Sequence, residues 1–270
     1  MTDRTLKKLK PLVVAVLTVC FLFAALPGCG SSAPPSLGGE SEGERFIPYP
    51  KGYVTDRLGA SAYRGAGNAN LSPYYGSIDV YHLTGSDRLT ILPRYKTYQQ
   101  TTEYSCGPAA ALMVLHHYGN TVWDELAIAK VMETNTQTGT PTSGMVRFFT
   151  KIGWQVQSSL TAPKKDGKSF PDPEAFGAFV ITHLRKGTPI MVENIDWAGH
   201  WRVIIGYDTM GTKTIADDVL IMADSYDTAD HRQDGYTIVP TEKFFYMWYD
   251  SHLLPPDQRL QQWLIAVPPR

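Results

Sequence analysis

Cys106 stands in Gln100-Thr101-Thr102-Glu103-Tyr104-Ser105-Cys106-Gly107-Pro108-Ala109-Ala110-Ala111, and it is one of three cysteines in 270 residues. Cys20 lies in an apolar segment of export type and Cys29 ends that segment, which leaves one unpaired thiol for the folded body. Gly107 and Pro108 open a helix-forming run that stops at Gly119. A sulfur at a helix start sits where negative charge is favoured, so Cys106 reads as a nucleophile.

A nucleophilic thiol needs a base, the base needs an orienting group, and the oxyanion needs donors. Seven histidines compete for the first role: His82, His116, His117, His183, His200, His231 and His252. His116 and His117 lie roughly 15 Å or more along the helix that Cys106 opens, beyond hydrogen-bond reach. They read as a helix-surface pair with one side packed, and His183 as another helix residue. His200 opens a β-rich run behind Gly199. If residues 200–207 and 219–224 form a hairpin about Thr212, His200 falls opposite Asp224, with side chains about 5 Å apart at Cβ. Asp224 would then accept from one imidazole nitrogen and leave the other for the thiol. The same pattern serves a half-buried structural histidine held by a turn carboxylate, and local sequence leaves both readings open. Gln100 offers an amide donor to an oxyanion beside the Cys106 N–H, or merely ends a strand.

Three stretches then stand in one order: Gln100-x5-Cys106-Gly107-Pro108-Ala109-Ala110, Gly199-His200-Trp201-Arg202-Val203-Ile204-Ile205-Gly206-Tyr207-Asp208, and Ala223-Asp224-Ser225-Tyr226-Asp227. Together they resemble the papain-clan family of double-glycine leader peptidases, peptidase family C-thirty-nine, in its standalone branch. The resemblance spans about residues 92–248. It implies a papain-like fold with Cys106 as nucleophile, His200 as base and acid, Asp224 as its orienting group and Gln100 in the oxyanion hole. It implies a peptide or protein substrate and no cofactor. Two departures matter. The sequence carries no P-loop and no further hydrophobic span, so cleavage after double glycine is not carried over. Ser225 follows Asp224 where relatives often have proline. The same thioester chemistry also serves acyltransferases such as the phytochelatin synthases, which carry a similar Gln-x5-Cys-Gly stretch. A third reading is a catalytically silent peptide-binding lipoprotein.

Positioning these residues falls to an α+β body, since helical patterns come first and strands last. The helices expected are 106–118, 123–132, 142–152 with a Thr142 or Ser143 cap, and 174–186. Strands are expected at 78–83, 89–98, 189–195, 200–207, 219–223, 236–240 and 264–267. Residues 46–270 read as one papain-like domain, with 46–90 as a wrapping extension held by tyrosines. The acidic stretch 224–235 lacks EF-hand spacing and reads as a solvated loop, and no zinc-ligand spacing is present. Phe244-Phe245-Tyr246-Met247-Trp248 reads as core first, cleft floor second.

Residues 1–28 read as a signal peptide: Arg4, Lys7, Lys8 and Lys10 precede the apolar stretch 12–26. Leu26-Pro27-Gly28-Cys29 resembles a lipobox, which makes Cys29 the lipidation site and residues 29–45 a flexible tether. The expected location is the bacterial cell envelope, at the outer membrane of a Gram-negative host or the outer face of a Gram-positive cell membrane. Without residues 1–28, 21 Lys+Arg face 25 Asp+Glu, a net charge of −4. With no basic run, nucleic acid is not an expected partner, and membrane attachment comes from lipid on Cys29.

Overall fold

From Cys106 to Leu115 the chain is apolar on all sides, and a helix of that kind must be surrounded by protein. Helix α1 (Cys106–His117) meets this condition, with all ten residues from Cys106 to Leu115 buried. The computed structural model describes residues 44–59, 78–228 and 233–269. The expected signal peptide, Cys20, Cys29 and the tether up to residue 43 lie outside them, as does the expected arm between 60 and 77.

Around α1 pack α2 (Glu125–Met132), α3 (Thr142–Lys151) and a sheet. Helix α2 starts two residues later than expected because the Asp124 side chain accepts from Ala127 N–H at 2.8 Å, making Asp124 the N-cap. The expected Thr142 or Ser143 cap on α3 is absent. Pro141 takes the cap position, and the Thr142 hydroxyl donates to Gln262 Oε1 at 2.6 Å instead. Asp172 caps α4 (Pro173–Leu184), which has proline in its first turn.

Among the described residues, seven strands form one antiparallel sheet: β1 (Leu89–Ile91), β2 (Gln155–Ser158), β3 (Ile190–Asn194), β4 (His200–Asp208), β5 (Val219–Ala223), β6 (Tyr236–Pro240) and β7 (Gln262–Val267). Their spatial order is β2-β7-β3-β4-β5-β6, and β1 joins the far end of β4 beyond β3. Helices before strands, joined on an antiparallel sheet, give the expected α+β class. All nine residues of β4 are buried, as the central strand of such a layer requires.

Several elements differ from expectation. Residues 78–83 form a 3-10 turn at Val80–His82, because Asp79 and the His82 ring bond locally at 2.7 Å in place of a ladder. The expected strand 89–98 ends at Ile91, since Pro93 has no N–H to donate and Arg94 has φ 51°. Strand β2 and the short helix α5 (Thr241–Tyr246) were not expected. Phe244, Phe245 and Trp248 belong to the core, not to a cleft floor. The expected solvated loop 224–235 instead buries Asp224, Asp227 and Asp234. Residues 46–53 lie along the loop before α1, where Tyr49 donates to Gln99 O and Tyr53 to Asp124 Oδ1, each at 2.6 Å. Among the described residues no helix is long and apolar enough to cross a membrane.

Candidate active site

Sheet and helix meet at the first residue of each. Cys106 is the first residue of α1 and His200 the first of β4. The Cys106 thiol interacts with the His200 ring and helps to raise its pKa. His200 Nε2 donates to Asp224 Oδ1 at 2.7 Å, so Nδ1 is the nitrogen left for the sulfur. His200 and Asp224 are both about 2 % exposed, which leaves little water to weaken the pair.

The hairpin expectation needs a correction in its register. Val203 pairs with Ala223 and Ile204 with Met222, but Gly206 pairs with Ile221, so a bulge intervenes. Asp224 therefore follows the Val203–Ala223 rung and lies across from Arg202. It reaches His200 along the diagonal, two residues away on the same face, which is within range for long side chains. Arg202 Nε donates to Asp224 Oδ2 at 2.6 Å, and Thr237 Oγ1 donates to the same oxygen at 3.0 Å. The backbone N–H of Tyr226 donates to Oδ1 at 2.9 Å. Sequence reasoning missed Arg202, although it stands within the matched stretch, two residues from His200.

These contacts set the charges. Burial opposes ionisation of Asp224, but the neighbouring charges of Arg202 and His200 outweigh it and hold the carboxyl well below the usual range. Burial likewise opposes a charged His200. The Asp224 carboxylate, by charge and by hydrogen bond, and the bond to Cys106 prevail, and His200 is pushed up to about 9. A proton on the imidazole is the stable state at neutral pH. An imidazolium can donate to a thiolate on one side and a carboxylate on the other.

Gln100 lies in the loop ahead of α1, buried, and its Nε2 donates to Thr102 O at 2.7 Å. An amide nitrogen carries two hydrogens, and this bond uses one. Gln100 Oε1 accepts from Ser225 Oγ at 2.9 Å, and Gln100 N–H donates to Ser225 O at 3.0 Å. The serine found after Asp224 thus ties the glutamine loop to the aspartate turn. The loop is fixed from below by Glu125, a fully buried carboxylate on α2 that accepts from Tyr98 OH, Thr101 Oγ1 and Thr101 N–H. Glu125 was not singled out in the sequence, where it reads as an ordinary first-turn acid.

Cys106 opens into a cleft of about 390 Å³ whose walls include Thr140, Trp197, Gly199, Trp201, Leu253 and two acids, Glu193 and Asp250. Trp201 Nε1 donates to Thr140 O at 2.8 Å, joining β4 to the loop that covers Gly107. Just before His200, Trp197 and Ala198 both adopt positive φ, 56° and 74°. That tight turn is pinned by an Arg202–Asp196 ion pair and by Ser251 N–H donating to Ala198 O at 3.1 Å. The other histidines are elsewhere. His117 bonds Gly187 O at 2.8 Å and the His183 ring lies tilted against Phe179, while His82 pairs with Asp79. His231 lies outside the described residues. Among the described residues no cluster of His, Cys, Asp and Glu is arranged to hold a metal ion.

Residues 93–252 match the model of the Peptidase_C39 like family. Among solved structures, the peptidase domain of Streptococcus ComA, a bifunctional ABC transporter of a quorum-sensing pathway, is 20% identical. The match covers 65% of this chain and 99% of that one, with a TM-score of 0.43. A double-glycine-motif protease from an AMS/PCAT transporter, solved with its leader peptide, is 17% identical over 64% of this chain and 91% of that one, at TM-score 0.38. Xylellain, a cysteine protease from Xylella fastidiosa, is 16% identical over 74% and 96%, at TM-score 0.41. None of the curated proteins matches the sequence.

Proposed function

Because the chain belongs to the Peptidase_C39 like family and is a cysteine peptidase, we propose that it hydrolyses peptide bonds with Cys106 as nucleophile, His200 as acid and base, and Asp224 as the positioning carboxylate. One observation carries this reading: a single imidazole stands beside the only free cysteine among the described residues and bonds a buried carboxylate through Nε2. The Cys106 sulfur attacks the scissile carbonyl, forming a C–S bond and an oxyanion. The Cys106 N–H and the remaining Gln100 hydrogen stabilise that oxyanion. Collapse breaks the C–N bond, and the His200 proton leaves with the amine. The resulting thioester is attacked by water, His200 takes the water's proton, and the acid departs with the thiol restored.

The test uses a peptide library with the full chain and with Cys106→Ala as the blank. New amino termini formed by the wild type alone support hydrolysis, and their absence overturns it. Adding free amines separates hydrolysis from acyl transfer, because a transferase yields amide products in place of acids.

The same reading places the enzyme in the bacterial envelope, held by lipid on Cys29. It is supported by the lipobox-like Leu26-Pro27-Gly28-Cys29 and the basic and apolar segments before it. Fractionation of cells expressing wild type and Cys29→Ser checks it. Acylated, membrane-bound protein is expected only for the former.

A further inference from the structure

Glu193 stands in the middle of β3, a strand whose five residues are all buried. A carboxylate there should be paired, since removing such a charge from water is costly. It is not paired. Glu193 is 2 % exposed, and neither of its oxygens has a hydrogen-bond partner. Asp250, 3 % exposed, stands beside it. Its Oδ1 accepts from Leu254 N–H at 2.9 Å, and its Oδ2 has no partner. Both carboxylates line the cleft into which Cys106 opens.

The two converge on Gly199. A methyl group on that glycine would sit 2.8 Å from Asp250 Oδ2 and 3.0 Å from Glu193 Oε1, so the lack of a side chain keeps the space between them open. Burial, then the charges of Asp250 and Cys106, push the Glu193 carboxyl well above its usual range. A cation set between the two carboxyls would favour the charged form that burial opposes.

The rest of the cleft agrees. Its lining includes Asp56 and Glu103 as further acids, and no lysine, arginine or histidine among the described residues. At the mouth, Trp197 and Leu253 stay 61 % and 39 % exposed. An apolar collar over an acidic floor fits a group with a hydrocarbon stem and a charged tip, and an indole adds attraction for the cation.

Resting on the reading of Cys106 as nucleophile, we propose that Glu193 and Asp250 form a subsite for a cationic nitrogen of the peptide substrate, supplied by a lysine or arginine side chain or by an α-ammonium group. The occupant donates to the unpartnered oxygens. The subsite confers specificity, choosing which peptides present a carbonyl to the sulfur.

Binding is measured on the full chain carrying Cys106→Ala, so that nothing is cleaved. The probes are end-blocked peptide libraries with arginine at one fixed position, their citrulline counterparts, and libraries free of lysine and arginine with an open amino terminus. Enrichment of roughly 10- to 100-fold for the cationic member over its neutral counterpart is expected, with loss of that preference in Glu193→Gln and Asp250→Asn. Enrichment in the arginine arm assigns a side chain, and enrichment in the open-terminus arm assigns an α-ammonium. Equal binding of charged and neutral members overturns the subsite, as does a preference that survives both substitutions. The two readings fail separately. Cys106-dependent cleavage without charge preference removes the subsite alone, whereas charge-selective binding with no cleavage by wild type removes the hydrolase and leaves the subsite.

Discussion

Arg202 Nε donates to Asp224 Oδ2 at 2.6 Å while His200 occupies the opposite oxygen, so the carboxylate is clamped from two sides. Arg202 also donates to Asn194 Oδ1 at 3.2 Å and pairs with Asp196 at the turn before His200. The guanidinium thus holds both the aspartate and the approach to the imidazole. Arg202→Met should cost on the order of 1–3 kcal/mol in stability, because buried Asp224 loses one of its two cationic partners and keeps only His200. A loss of stability alone would indicate only packing. The positioning role predicts more: the acid limb of the pH–rate profile should move to higher pH, since Arg202 is the largest influence lowering Asp224. An unchanged acid limb would contradict it. Arg202→Lys should restore the limb only partly, a point charge being a poor substitute for a fork.

The imidazole predicts a separation of two activities with pH. His200 is pushed up to about 9 from an ordinary 6.5. Peptide hydrolysis needs its proton for the leaving amine, so turnover should fall as pH rises through about 9. Alkylation of Cys106 by iodoacetamide needs only the sulfur anion and should persist above that pH. The stability sign follows the same shift. A raised histidine stabilises the fold fully below pH 6.5 and loses that contribution as pH climbs through about 9, on the order of 3 kcal/mol in all. Thermal unfolding of wild type against His200→Ala should therefore show the gap narrowing at alkaline pH. Near neutral pH, His200→Ala should also sharply reduce alkylation, and equal labelling would show that His200 does not activate the sulfur.

Much of the site was legible because its chemistry is local. A sulfur at a glycine–proline helix start and a histidine behind a glycine at a strand start can both be recognised without knowing the fold. The pairing of His200 with Asp224 was legible too, but for the wrong register. The ladder centres between Lys213 and Thr214 rather than on Thr212, since Asp208 pairs with Val219, and the bulge between Ile204 and Gly206 recovers only one residue of that offset. Glu193 shows where sequence reasoning stops. It sits in an apolar run that reads as a buried strand, and a charged residue in such a run was the available signal. Its companion Asp250 is 57 positions further on, and the contact between them depends on how the 248–254 loop returns to Gly199. Strand β2, Gln-Val-Gln-Ser, has too few apolar residues to announce itself, and it forms because β7 offers an edge.

Gln100 offers a test that separates oxyanion stabilisation from thiol ionisation. Attack on a carbonyl creates an oxyanion, whereas alkylation by iodoacetamide displaces iodide at a saturated carbon and does not. Gln100→Ala should lower kcat for peptide hydrolysis about 10²- to 10³-fold, the usual cost of one such donor. The rate of Cys106 alkylation should stay near wild type. If both fall together, the glutamine acts by holding Ser225 and the aspartate turn, with which it shares two hydrogen bonds.

Gly107 tests how tightly the nucleophile's helix is seated. In an exposed helix, alanine is favoured over glycine by about 1 kcal/mol. Here the added methyl would meet Thr140 Cβ at 2.6 Å and Thr140 Oγ1 at 2.7 Å. Thr140 has little room to retreat, since its carbonyl accepts from Trp201 Nε1 and its hydroxyl bonds Thr134 at 2.7 Å. Overpacking of this kind costs about 1–3 kcal/mol, which outweighs the helix gain. Gly107→Ala should therefore lower the denaturation midpoint and slow Cys106 alkylation, because the sulfur moves with its helix. Removing the obstacle should reverse both effects, and because an alanine would keep the Cβ that stands nearest, the double variant Gly107→Ala, Thr140→Gly is the one expected to be more stable than the sum of its parts. Strict additivity in that cycle would mean that Gly107 and Thr140 do not press on one another, and that something else sets the position of Cys106.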